Sequence, residues 1–226
     1  MGASYNERLY CRAMRKCLFL IAIVALACDA KKSAPEKHGA FDAASGITRV
    51  QGSGPRIVPL HAMTGDVEVI SGDPEKPGPF VMRIHELPGT RIPLHTHPVD
   101  ENITIVQGTW YFAVADRWDP KLLTPLHVGD YAYAPKGSTM FAYCPDGAIV
   151  QLHGVGPYEI HWRNGLQTID APGARSPFTF KKGERVQCTR GRGVVRQGYA
   201  SGDIVQLELG LDDGTVVMAD QTDVHR

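Results

Sequence analysis

From about Ile47 to Gly165 the chain is cut into short segments by proline and glycine, and this punctuation restricts the fold more than any other feature. The segments "DVEVI", "FVMRIH", "NITIVQG", "TWYFAVA", "YAYAP", "MFAYC" and "AIVQLHG" carry the β-branched and aromatic residues that suit strands. Between them stand "SGDPEKPGP", "LPGTRIP", "DRWDPKLLTP", "PKGS" and "PDG", all of turn chemistry. No helical pattern of comparable length interrupts them. Strands at such regular spacing predict an all-β sandwich or barrel over residues 47–165.

The opening of the chain has a different character. Arg12, Arg15 and Lys16 precede an apolar run of eleven residues, "CLFLIAIVALA", which ends just before Cys28. As a helix that run rises only about 16 Å, roughly half the hydrocarbon core of a bilayer. Residues 1–27 therefore read as a signal peptide rather than a spanning helix. Two processing routes stay open. "ALA" suits ordinary cleavage, whereas "LAC" resembles a bacterial lipobox, with Ala25 where a larger aliphatic is usual. The expectation is export, either to the periplasm or to a membrane anchored only through a lipidated Cys28. Residues 28–46, polar, small and without periodicity, read as a flexible tether.

Charge narrows the partners. Lysine plus arginine number 24 and aspartate plus glutamate 24, so no net field draws the protein to nucleic acid or to an acidic membrane surface.

Within the strand-rich region, "GTRIPLHTHPVDENITIVQG" (residues 89–108) concentrates metal-binding side chains. On a strand, residues two apart share a face, so His95 and His97 project together and Thr96 turns away. Pro98 ends the strand, and Glu101 opens the next one, where its carboxylate can meet the imidazoles. Two histidines and a carboxylate form the facial set that holds Fe(II) and also suits Mn, Ni or Zn. The ordinary alternative is a polar barrel mouth without an ion.

This stretch resembles the first motif of the cupin superfamily: glycine, five residues, His-x-His, three or four residues, glutamate, six residues, glycine. Gly89, His95, His97, Glu101 and Gly108 fit every position. The second motif is matched by Gly129, Pro135 and Gly137. Met140 stands where it has a histidine, and Cys144 where it has an asparagine. Phrases such as "GDPEKPGPF" and "QLHGVGPYEI" are similar to those of a bacterial single-cupin group. The resemblance covers roughly residues 55–165 and implies a jelly-roll barrel with a divalent ion and a small-molecule ligand inside. It does not specify the chemistry, because the fold hosts enzymes, sugar binders and storage proteins alike.

A neutral thioether is a poor ligand for Mn, Fe(II) or Zn beside a carboxylate. Three readings of Met140 remain: a three-ligand facial site, recruitment of another histidine, or loss of tight metal binding. His153, in "AIVQLHG", is the best recruit on the family's arrangement, with Gln151 on its face. His61, His85, His127 and His161 lack partner spacing. Tyr131, Tyr133 and Trp110 are candidates for lining a pocket, with the barrel core as their ordinary role.

After Gly165 come a Pro/Gly/Ser-rich linker (166–176) and a second set of short strands (177–226) with "DDG" as a hairpin turn. This part looks like a small SH3-like or KOW-type barrel. Its charges balance, and a cell-envelope partner is the docking role it suggests. Cys144 and Cys188 read as buried small hydrophobes, with a disulfide between the two domains as the alternative. Exposed strand edges allow a homodimer. Two function classes stay open: a metal-dependent oxygenase or isomerase in which no separate catalytic base is evident, and a non-catalytic ligand-binding or sensor module.

Overall fold

The computed structural model describes residues 65–173 and 175–226, together with the backbone of two short paired strands, β1 (Ala40–Asp42) and β2 (Ile47–Arg49). The signal-peptide segment, Cys28, most of the tether and His61 lie outside the described residues. Within them the chain is almost entirely β-structure, as the strand pattern predicts.

The first sheet contains β3 (Gly65–Ser71), β4 (Gly78–Glu86), β5 (Thr90–Thr96), β6 (Glu101–Val114), β7 (Thr124–His127), β8 (Tyr131–Ala134), β9 (Met140–Cys144), β10 (Ala148–Gly156) and β11 (His161–Trp162). Its curl comes from β6, which is 14 residues long. The first half of β6 pairs with β8 and β10, and the second half with β7 and β9. The change of partners falls at Val106–Gly108, the exposed stretch of the strand. Gly108 adopts φ +78°, and a Cβ there would lie 2.4 Å from the Gly147 carbonyl oxygen. One strand thus joins β8–β6–β10–β4–β3 to β7–β6–β9–β5–β11, and the sheet closes on itself as a jelly roll.

Alternation fills the interior. Phe80, Met82 and Ile84 from β4, Ile103 and Ile105 from β6, and Val150 and Leu152 from β10 are buried in one core. Burying a side chain of this size stabilises by roughly 1.5–3 kcal/mol. Trp110 belongs to this core. Tyr131 and Tyr133 do not line it: they are exposed on β8, where the Tyr131 hydroxyl donates to Asn102.

The second sheet is antiparallel and five-stranded: β12 (Gln167–Thr168), β13 (Arg185–Cys188), β14 (Gly191–Ser201), β15 (Ile204–Leu211) and β16 (Val216–Asp220). Segment 166–176, read as a linker from its Pro, Gly and Ser, contributes β12, because Gln167 and Thr168 pair with Ala200 and Tyr199. Leu207, Leu209, Val195 and Val217 form the core of this sheet. Cys144 and Cys188 are both buried and both free thiols. They lie in the two separate cores, as small hydrophobes do.

The sheets meet at the start of β5. Gln206 is fully buried; its side-chain carbonyl accepts from the Arg91 N–H, and its amide donates to the Gly89 carbonyl and to Asp220. The Met218 N–H donates to the Pro88 carbonyl, and Arg91 pairs with Asp220 at 2.8 Å. Gly89 is required here on two counts: its φ is +89°, and a Cβ would sit 2.0 Å from the Met218 carbonyl oxygen.

Candidate functional site

His95 reaches the barrel interior because β5 is irregular. Thr90 and Ile92 face inward, so strict alternation would put residues 94 and 96 inside as well. The β5–β9 register shifts between Ile92 and His95, and beyond the shift His95 and His97 are buried while Leu94 and Thr96 are not. Pro93, which has no N–H for the ladder, sits at the irregularity. Its freed carbonyl lies 2.6 Å from His95 Nδ1. The same local break turns the imidazole inward and supplies the acceptor that orients it.

His97 is held in the same way: its Nδ1 lies 2.7 Å from the Glu159 carbonyl oxygen. A carbonyl only accepts, so each Nδ1 carries the proton and each Nε2 keeps its lone pair. Burial lowers the pKa of both imidazoles to about 4, with His97 adding to the effect on His95. Both rings are therefore neutral at pH 7, the form that binds metals. Their centroids are 4.8 Å apart in an edge-on arrangement.

Glu101 opens β6, facing inward with Ile103, and its Oε1 is 3.4 Å from His97 Nε2. Burial raises its pKa, and a hydrogen bond from Tyr158 opposes the rise. Asp100 faces outward, where it accepts from the Lys136 N–H; the Gly137 N–H donates to the His97 carbonyl. The Pro135–Gly137 turn is thereby tied to the histidine segment.

Tyr158 gives no metal-spacing signal in the sequence, yet it completes this cluster. Its hydroxyl donates to Glu101 Oε1 at 2.7 Å and lies 3.4 Å from His97 Nε2. Its ring stacks on His97, with centroids 4.6 Å and planes 20° apart. The Tyr158 N–H donates to the Pro74 carbonyl, and the preceding Gly156 passes so close to the 74–76 turn that a Cβ would meet the Lys76 carbonyl oxygen at 2.4 Å. The only sequence hint is position: "GPY" directly follows a barrel strand.

His153 is not part of the cluster. It pairs with Asn102 in the β10–β6 ladder, and paired residues share a face, so it points to the side opposite Glu101 and Leu152. The recruitment expected from the sequence is corrected by this register. Gln151, on the same outer face, accepts from Arg83. His85 lies beside Glu68 and His127 beside Thr109, whereas His161 pairs with Glu159 near enough to His97 to help lower its pKa. Met140 is buried, in register with His95 and on its face. Glu86 carries a second buried carboxyl in addition to that of Glu101. Both of its oxygens are buried without a hydrogen-bond partner, and burial raises its pKa well above the carboxylate range.

Among the described residues, no three His, Cys, Asp or Glu side chains are drawn together closely enough to form a ready-made metal group. The donor chemistry still fits an ion: two neutral imidazoles, oriented through Nδ1, beside a buried carboxyl.

No protein-family model matches the chain. No curated protein matches it either. Among the solved structures it resembles are an RmlC-like cupin and a protein with a double-stranded β-helix domain. KdgF from Halomonas sp. is 18% identical with a TM-score of 0.33, over 40% of this chain and 78% of that one. An RmlC-like cupin from Shewanella frigidimarina is 18% identical with a TM-score of 0.34, over 40% and 74%. The polyketide cyclase RemF from Streptomyces resistomycificus is 14% identical with a TM-score of 0.41, over 51% and 84%.

Proposed function

We propose that the barrel holds a divalent ion through His95, His97 and Glu101 and takes a small oxygenated molecule as its ligand there. The observation that carries this reading is the pair of Nδ1 contacts to backbone carbonyls, which leave two Nε2 lone pairs on neutral rings beside a buried carboxyl. Packing such groups together without an ion costs several kcal/mol in desolvation. When bound, the ion polarises an oxygen of the ligand. His95 and His97 hold their orientation, Glu101 balances charge, and the apolar wall of Ile103, Leu152 and Phe80 excludes water.

A second reading, a ligand-binding or sensor module without chemistry, is supported by the Tyr158–Glu101 hydrogen bond, which satisfies the carboxyl with no ion present. The N-terminal signal pattern supports an exported protein, and the C-terminal sheet, read as an SH3-like module, is proposed to dock a cell-envelope partner.

The deciding experiment is elemental analysis of protein purified without added metal, beside His97→Ala. About one ion per chain in the wild type and none in the variant supports the site. Substoichiometric metal that His97→Ala leaves unchanged removes it.

A further inference from the structure

Three polar atoms of the pocket lie within reach of one another, and two of their three separations match those of donors to one ion, the third being a hydrogen bond. Two ligands each about 2.1 Å from a common centre are ~3.0 Å apart at a right angle and ~3.4 Å apart at the tetrahedral angle. His97 Nε2 to Glu101 Oε1 is 3.4 Å, His97 Nε2 to the Tyr158 hydroxyl oxygen is 3.4 Å, and that oxygen to Glu101 Oε1 is 2.7 Å. The imidazole of His95 lies edge-on to His97 on the adjoining side.

The position paired with His95 across the ladder carries only the thioether of Met140. A protein oxygen therefore stands in this pocket beside a site whose second-motif histidine is missing. Tyr158 is buried and anchored twice, through its N–H to Pro74 and through its ring against His97 and Phe80. An oxygen so held needs little ordering to serve as a ligand.

We infer that Tyr158 is the fourth protein ligand of this pocket, binding the ion through its phenol oxygen and making the set His95, His97, Glu101 and Tyr158. The inference rests on the metal-site reading above and adds to it a ligand type and a preference. Two imidazole nitrogens and two oxygens suit iron and zinc and are a poor match for Cu(I). The Tyr158-to-Glu101 hydrogen bond is the ion-free state of the same two atoms.

The test uses the full chain loaded with ferric iron, because an iron-bound phenolate absorbs visible light and the other three ligands do not give that band. The expected result is a visible charge-transfer band with tyrosinate modes in its resonance Raman spectrum. Tyr158→Phe should lose the band and bind iron roughly tenfold or more weakly, with circular dichroism confirming its fold. The Raman modes of the unaltered protein decide the matter even if the variant fails to fold. Stoichiometric iron without the band, or a band that survives in Tyr158→Phe, overturns the role of Tyr158 while leaving the three-residue site. Failure of the wild type to take up iron, zinc or manganese overturns both.

Discussion

Met140 and His95 face each other directly across the β5–β9 ladder, and both side chains are buried inside the barrel. Substituting Met140→His puts a third imidazole on the face of His95. Without metal the variant should be less stable, by about 1–3 kcal/mol, because a buried polar ring replaces an apolar thioether chain. With zinc it should gain more than the wild type does, since stabilisation grows as RT ln(1 + [L]/Kd). Thermal melts with and without zinc check this: the zinc-induced rise in Tm should be larger for the variant, and an equal or smaller rise refutes it.

His153→Ala should leave metal affinity within about twofold of the wild type, because its side chain is on the outer face with Asn102. Surface changes of this kind usually alter stability by less than ~0.5 kcal/mol. Competition against a chromophoric chelator measures the affinity. A tenfold loss would place His153 at the ion and contradict the register.

The histidines set a pH dependence with a definite sign. Each has a folded pKa of about 4 against an ordinary 6.5. Between these values the unfolded chain binds more protons, so the stability of the metal-free protein rises with pH from about 4 to 6.5. A shift of this size corresponds to about 3 kcal/mol per ring. Urea unfolding of wild type and His97→Gln across that range should show the wild type gaining on the variant as pH rises. Parallel curves would mean that the rings are not buried as neutral species.

Glu86 acts with the opposite sign. Its folded pKa is raised, so above its ordinary value of 4.5 the folded state keeps a proton that the unfolded state releases. Stability from this group is complete below pH 4.5 and is lost as pH climbs toward the folded pKa, by up to about 1.4 kcal/mol per pH unit. Glu86→Gln removes that slope, so its stability relative to wild type should increase with pH. A pH-independent difference in urea midpoint would show that Glu86 finds a partner.

The strand-by-strand layout was legible because Pro and Gly separate segments whose side chains alternate, and the closeness of His95, His97 and Glu101 was legible because their spacing is local. The physical reason that His95 faces inward was less visible: it depends on a register shift at Pro93, which the bare alternation from Thr90 would have reversed. His153 was misjudged because its face is set by which residue of β6 it pairs with. Tyr158 escaped because its partners, His97 and Glu101, are about 60 positions away and a lone tyrosine after a strand carries no spacing signal. Gln206 escaped for the same reason: its partners Gly89 and Arg91 lie more than a hundred residues earlier.

Gln206 gives its side-chain amide to β5 as a neighbouring strand would give a peptide group, with one carbonyl accepting from Arg91 and one N–H donating to Gly89. This makes the joint between the two sheets directional rather than merely adhesive: it resists sliding along β5 as well as separation. Arg91 lies four residues before His95, roughly 13 Å along an extended strand. The joint and the inward-facing imidazole are therefore carried on one strand, with the register shift at Pro93 between them.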